Sequence, residues 1–199
     1  MPQLEEIGIY LRGIWLLVQG KSEGFRWLDL TPRGVWRSFG AILWCLPAMA
    51  VSWASWRMMF LAEMPSGSEA GMAFIFKLFL VDVITWLMPL ILIAALSGPL
   101  GFADALIAII VSTNWLSIPV FYGMALPAAI RLVVPGSEGL SAMLSITLLV
   151  AMLIATYRVL KAVTGENQTP LASTLCVILV LPPLMVGNML QRFFELLPP

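Results

Sequence analysis

Residues 83–103 read VITWLMPLILIAALSGPLGFA, and no charged side chain interrupts them. A helix needs about 20 apolar residues to cross about 30 Å of hydrocarbon. A helix on the surface of a soluble protein would show a polar face once per turn; this run is apolar all round. Four further charge-free runs have the same character, at 38–56, 105–130, 139–157 and 167–191. Turn-forming clusters separate them: Pro65-Ser66-Gly67-Ser68, Ser97-Gly98-Pro99, Pro135-Gly136-Ser137, and Gly165 through Pro170. Composition agrees. The chain is 60% hydrophobic and 11% charged, where a soluble domain carries about 25% charged residues, and its mean hydropathy is +0.95. The expected fold class is all-α, a polytopic membrane protein. Five transmembrane helices are expected at about 36–60, 72–97, 102–131, 139–161 and 169–192, behind an N-terminal amphipathic interfacial helix. Residues 1–30 are then a cytoplasmic interfacial segment and 31–199 the five-helix transmembrane domain.

Several helix ends are readable. Thr31-Pro32 has the form of an N-cap followed by a first-turn proline. The second span is expected to start near Gly71, which puts Lys77 in its first turns, and the third near Phe102. Pro119 and Pro127 predict a kink or break in the third span, and Pro182-Pro183 in the fifth. Spans one and two do not align with three and four in charge or proline positions. That argues against an inverted-repeat transporter.

Orientation follows from the basic residues. Arg12, Lys21, Arg26, Arg33 and Arg37 precede or open the first span, and Arg158 and Lys161 follow the fourth. Arg57, Lys77, Arg131 and Arg192 belong to the other side. This bias predicts a cytoplasmic N-terminus and, with five spans, an external C-terminus. The first residues do not read as a signal peptide, because their longest apolar run, 14–18, is short and Glu5-Glu6 stand where positive charge belongs. Leu4, Ile7, Leu11, Ile14, Trp15 and Val18 instead follow helical spacing, with Glu5, Glu6, Arg12 and Gln19 on other sides. Two readings fit: a helix lying in the membrane interface, or one packed on the end of the bundle. Trp beside Lys and Arg favours the interface, with Phe25, Trp27 and Leu28 around Arg26 as a second anchor.

Charge and composition also exclude functions. Eleven basic and eleven acidic residues cancel, leaving no nucleic-acid footprint. The chain has no histidine, which removes imidazole metal sites, proton shuttles and Ser-His-Asp triads. Cys45 and Cys176 make no metal or disulfide framework and read as small apolar core residues. Nucleotide, zinc-protease and hydrolase motifs are missing. The Asn167-Gln168-Thr169 sequon falls on the side assigned to the cytoplasm. The expected protein is not an enzyme and needs no cofactor or metal.

An ionisable residue inside a span is a candidate functional site. Lys77 and Asp82 lie on the second span, about 140° apart around the helix, so they do not pair. Arg57 is the partner expected for Asp82, and Lys77 is expected to snorkel outward. A register-fixing ion pair and a transport or proton site remain the two readings of this group. Asp104 suits the positive end of the third helix. Asn114 and Asn188 suit hydrogen bonds between helices. The candidate intramembrane polar site is therefore Arg57, Lys77, Asp82, Asp104, Asn114 and Asn188.

Gly101-Phe102-Ala103-Asp104-Ala105-Leu106, then Asn114-Trp115 and Ile118-Pro119-Val120-Phe121, resembles the third-helix region of bacterial Yip1-like membrane proteins. Tyr157-Arg158-Val159-Leu160-Lys161 is similar to the end of their fourth helix. The resemblance implies a multi-pass protein of the bacterial inner membrane, five spans, short loops and a cytoplasmic N-terminus. It brings no catalytic residues. The function expected from it is non-enzymatic: scaffolding or modulating membrane partners, with the lipid bilayer, other membrane proteins or a second copy as partners and no nucleic acid. The alternative is a small transporter or channel subunit using Asp82, Lys77, Arg57 and a broken fifth helix.

Overall fold

Thr31 lies in an extended conformation, and its Oγ1 accepts a hydrogen bond from the Gly34 amide at 3.1 Å. Pro32 fills the first helical position, where its missing N–H leaves nothing unsatisfied. The expected cap thus opens a short helix, α2 (Pro32–Ser38). After Phe39 and Gly40 the chain continues as α3 (Ala41–Glu63). The remaining long helices are α4 (Met72–Leu96), α5 (Leu106–Val133), α6 (Glu138–Thr164) and α7 (Thr169–Phe193). The computed structural model describes residues 4–65, 69–165 and 167–197. Ser66, Gly67 and Ser68 of the first expected turn lie outside them.

The fold is all-α, and no strand occurs among the described residues. Five helical stretches are long and apolar enough to cross a membrane: Pro32–Glu63, Met72–Leu96, Ala103–Val133, Glu138–Thr164 and Thr169–Phe193. Gly71 caps α4, and a short 3-10 turn, Ala103–Ala105, leads from Phe102 into α5, so both expected starts are met. The expected breaks at the prolines do not occur. α5 runs unbroken through Pro119 and Pro127, and α7 through Pro182 and Pro183. Neighbouring helices can absorb a freed carbonyl in a membrane bundle, so the fifth span is not a broken helix.

The N-terminal helix, α1 (Leu4–Val18), forms as expected but sits differently. Ile7, Tyr10, Ile14 and Leu17 are buried in one cluster with Ala41, Cys45 and Met49 of α3 and Val111, Trp115 and Ile118 of α5. The Tyr10 ring stacks on Trp115 with centroids 4.4 Å apart. Arg37 of α2 pairs with Glu6 at 2.7 Å. The helix is therefore packed on the bundle. Its inward face is rotated from the expected stripe, so that Tyr10 and Leu17 point in and Trp15 is 63% exposed. The proposed second anchor is corrected too. The 3-10 segment Ser22–Trp27 folds back on α1, Leu28 joins the core, and Arg12 lies 4.6 Å above the Trp27 ring. Gly13 and Gly24 permit this, since a Cβ on Gly24 would stand 2.5 Å from the Gly13 carbonyl.

The long helices do not pack evenly. α3 lies along α5, α5 along α6, and α4 along α7, while the consecutive helices α4 and α5 meet only briefly. The bundle thus opens between α4 and α5, while α6 and α7 stay packed on the other side. α6 is the most exposed span, with 6% of its apolar window buried. Leu140, Met143, Ile146, Val150 and Ile154 form an outward apolar face on it, suited to lipid.

Candidate functional site

Asp82 is placed by the hairpin of α3 and α4. Trp53 precedes the end of α3 at Glu63 by ten residues, and Asp82 follows the start of α4 at Met72 by ten. Antiparallel helices with one rise per residue bring such positions to the same depth. The Trp53 indole Nε1 donates to Asp82 Oδ2 at 2.7 Å. Arg57, the partner expected from sequence, is one turn nearer the loop, and its Nε donates to the Ala70 carbonyl at 2.6 Å. Among the described residues no basic side chain lies within ion-pair reach of Asp82.

Lys77 is also redirected. Rather than snorkelling to solvent, its Nζ donates to the Phe194 carbonyl at 3.0 Å, at the C-terminal end of α7. A cation there complements the negative end of the helix dipole. The Trp56 indole donates to Leu196 O at 3.0 Å, and the Leu196 side chain is fully buried with Phe60, Phe74 and Leu78. Arg57, Lys77 and Trp56 are therefore structural ties for the α3–α4 loop and the C-terminal tail. Asp104 stays exposed in the 3-10 turn before α5 and belongs to no cluster.

Asn114 is fully buried, and its Nδ2 donates to Ser38 Oγ at 2.8 Å. The direction is fixed, because the Ser38 hydroxyl spends its own hydrogen on Val35 O at 2.7 Å. Asn114 Oδ1 is left buried with no partner among the described residues. Asn188 is exposed and accepts from Arg192 Nε at 3.0 Å, one turn along α7.

Asp82, Asn114 and Asn188 meet on the wall of one cavity of about 580 Å³. It is an open cleft where α4 and α5 stand apart, with α6 and α7 forming its other walls. Its lining comes from the middle of α4, α5 and α6 and from the second half of α7. Beside these three residues the wall carries Thr85, Thr113, Ser117, Thr156 and Gln191. Four hydroxyls donate to carbonyls of their own helices: Thr85 to Val81, Thr113 to Ile109, Ser117 to Asn114 and Thr156 to Met152, at 2.6–2.8 Å. Each keeps lone pairs, although one on Ser117 faces the Cys45 thiol at 3.6 Å. Apolar residues, among them Trp86, Leu116, Val120, Phe121 and Leu153, supply the rest of the surface. A mostly apolar cavity with a few convergent polar groups is the usual form of a small-molecule site.

No protein-family model, curated protein or solved structure matches this chain. The resemblance to Yip1-like proteins therefore rests on the quoted residues alone, and the site must be read from its own chemistry.

Of the six candidate residues, three line the cavity and three do not. The hydroxyl residues, Gln191 and Trp53 were missed. Threonine and serine are common in apolar helices, and only packing selects those that face a cavity. Trp53 was legible in principle, since equal spacing from the two ends of a helical hairpin points to it and away from Arg57.

Proposed function

We propose that this chain is a membrane protein of the transporter class, one that binds a small molecule between its helices within the bilayer. The observation that carries this reading is the Asp82 cavity of about 580 Å³, lined by the middle of three membrane helices and the second half of a fourth. A carboxylate in a span is costly and is ordinarily kept for a task. Membrane-embedded substrate sites commonly lie near the bilayer midplane. Among the described residues Asp82 meets no basic partner, so a register-fixing ion pair does not account for it. Arg57 and Lys77 are outside the site. A purely scaffolding role, the function expected from the Yip1-like resemblance, would be better supported by a dry interior. The exposed apolar face of α6 needs no protein partner, because lipid covers it.

Native mass spectrometry of the purified protein, released from mild detergent, tests this. A bound small molecule is expected as a discrete mass adduct. Leu153→Trp, which fills the cavity with apolar volume, is expected to remove it while leaving helicity unchanged. An adduct that survives this substitution, or no adduct under any gentle release condition, would refute the cavity as a binding site.

A further inference from the structure

We infer that the cavity takes an amphipathic organic cation, its charged head at Asp82 and its apolar body among the α5, α6 and α7 side chains. This rests on the binding reading above and adds the chemical class. Charge gives the sign. Among the described residues the wall holds one carboxylate and no lysine or arginine. In a low-dielectric interior a lone carboxylate attracts a cation strongly and opposes an anion.

Hydrogen-bond polarity at the hydroxyls agrees with the sign. Thr85, Thr113, Ser117 and Thr156 spend their hydrogens on backbone carbonyls, so each has only lone pairs to offer a ligand. Asn114 gives one of its two amide hydrogens to Ser38. Trp53 spends its N–H on Asp82. The Asp82 carboxylate and the four hydroxyls form an acceptor group beside the amides of Asn114, Asn188 and Gln191, and a ligand that supplies positive charge and donors complements that group. Trp86 and Phe121 add aromatic surface of the kind that favours a nearby cation.

Size suits an organic ligand better than a bare metal ion. The cavity volume of about 580 Å³ falls in the range of about 300–1,000 Å³ usual for organic ligands. Among the described residues no group of three or more metal-ligating side chains exists. Leu116, Val120 and Leu153 would face an apolar body, not a hydration shell.

Tetraphenylphosphonium and tetraphenylborate have nearly the same shape and opposite charge. Equilibrium binding of each to the full-length protein in neutral detergent reads the class directly, and decyltrimethylammonium serves as a second cation. Saturable binding of the cations is expected, with tetraphenylborate weaker by about tenfold or more. Asp82→Asn is expected to weaken the cations by about tenfold, and Asp82→Glu to restore part of the loss. Equal binding of tetraphenylborate, or cation binding indifferent to Asp82→Asn yet blocked by Leu153→Trp, would overturn the cation class and leave the binding cavity standing. No saturable binding of either cation would also overturn the class, while the mass adduct decides the binding reading separately. The comparison of the two ions in the unsubstituted protein needs no variant to fold.

Discussion

Asp82 is held by one neutral donor, the Trp53 indole, in a helix that is apolar on either side of it. A hydrogen bond to a charged group contributes about 1.5–3 kcal/mol in soluble proteins, and polar contacts in membrane bundles average nearer 0.6 kcal/mol. Asp82→Asn and Trp53→Phe should therefore each lower the melting temperature in detergent, and together cost less than the sum. Arg57→Gln should instead be additive with Asp82→Asn, since Arg57 ties down Ala70 and not Asp82. A double-mutant cycle on thermal unfolding measures both. Coupling to Arg57 and none to Trp53 would mean that the hairpin register is different. Gly34 offers a second test. A Cβ there would run into the Asp29 backbone and side chain, and Asp29 in turn holds Thr31 through Oγ1 at 2.6 Å. Gly34→Ala should cost about 1–3 kcal/mol, the usual range for overpacking, visible as a lower melting temperature with the five spans still inserted. At this scale the sequence announced the rare residues. Asp82, Asn114 and Asn188 stood out because a polar group in an apolar run is conspicuous. Their partners did not, because a hydrogen bond between helices depends on depth and rotation, and an indole counts as apolar in any hydropathy profile.

Long apolar helices were legible because each one satisfies its backbone within itself and needs no neighbour to define it. The short elements were not, because their placement is decided by contact. α1 shows why. Its residues can present the stripe Ile7, Leu11, Ile14 and Val18 or the neighbouring stripe Ile7, Tyr10, Ile14 and Leu17, and both are apolar. The bundle selects the second: Tyr10 meets Trp115, and the close approach of Gly13 and Gly24 brings the following segment onto the helix. The prolines do not end their helices, for a related reason. Pro119, Pro127, Pro182 and Pro183 would break a helix in water, yet α5 and α7 continue through them. The packed position of α1 has a direct consequence. Leu17 is fully buried and Trp15 is 63% exposed. Leu17→Ala should cost about 2–5 kcal/mol, and Trp15→Ala within about 0.5 kcal/mol. Deleting residues 4–20 should lower the melting temperature more than either, since the lost burial is worth about 1.5 kcal/mol or more per core side chain. Equal, small effects from all three would return α1 to the lipid surface.

Across the whole molecule the charges sort by end. Residues 1–40 carry Arg12, Lys21, Arg26, Arg33 and Arg37. The α6 terminus with Arg158 and Lys161 joins them, because Val159 is buried in the same cluster as Ile7 and Tyr10 of α1. The opposite end holds the other four. Arg57 and Lys77 are tied to Ala70 and Phe194, Arg131 rests its guanidinium on the Met59 sulfur, and Arg192 follows Asn188 at the end of α7. Eleven basic residues thus divide seven to four, and the packing of α1 against α6 makes the division a property of the fold. Basic residues near span ends are retained on the cytoplasmic side during insertion. The N-terminal end should therefore be cytoplasmic, and α7, crossing last, should carry the C-terminus out. A periplasmic-type phosphatase fused after the last residue should be active, and the same reporter in the α6–α7 loop, near Gly165, should be silent. Moving the bias should move the topology. Exchanging Arg12, Lys21 and Arg26 for Gln removes three of the seven positive charges, leaving four against four, and the C-terminal reporter should then lose part of its activity to molecules inserted the other way. Full activity in that variant would mean that orientation is set by something other than the basic residues of the first segment. An active reporter near Gly165 in the unsubstituted chain would mean that the whole bundle is inverted.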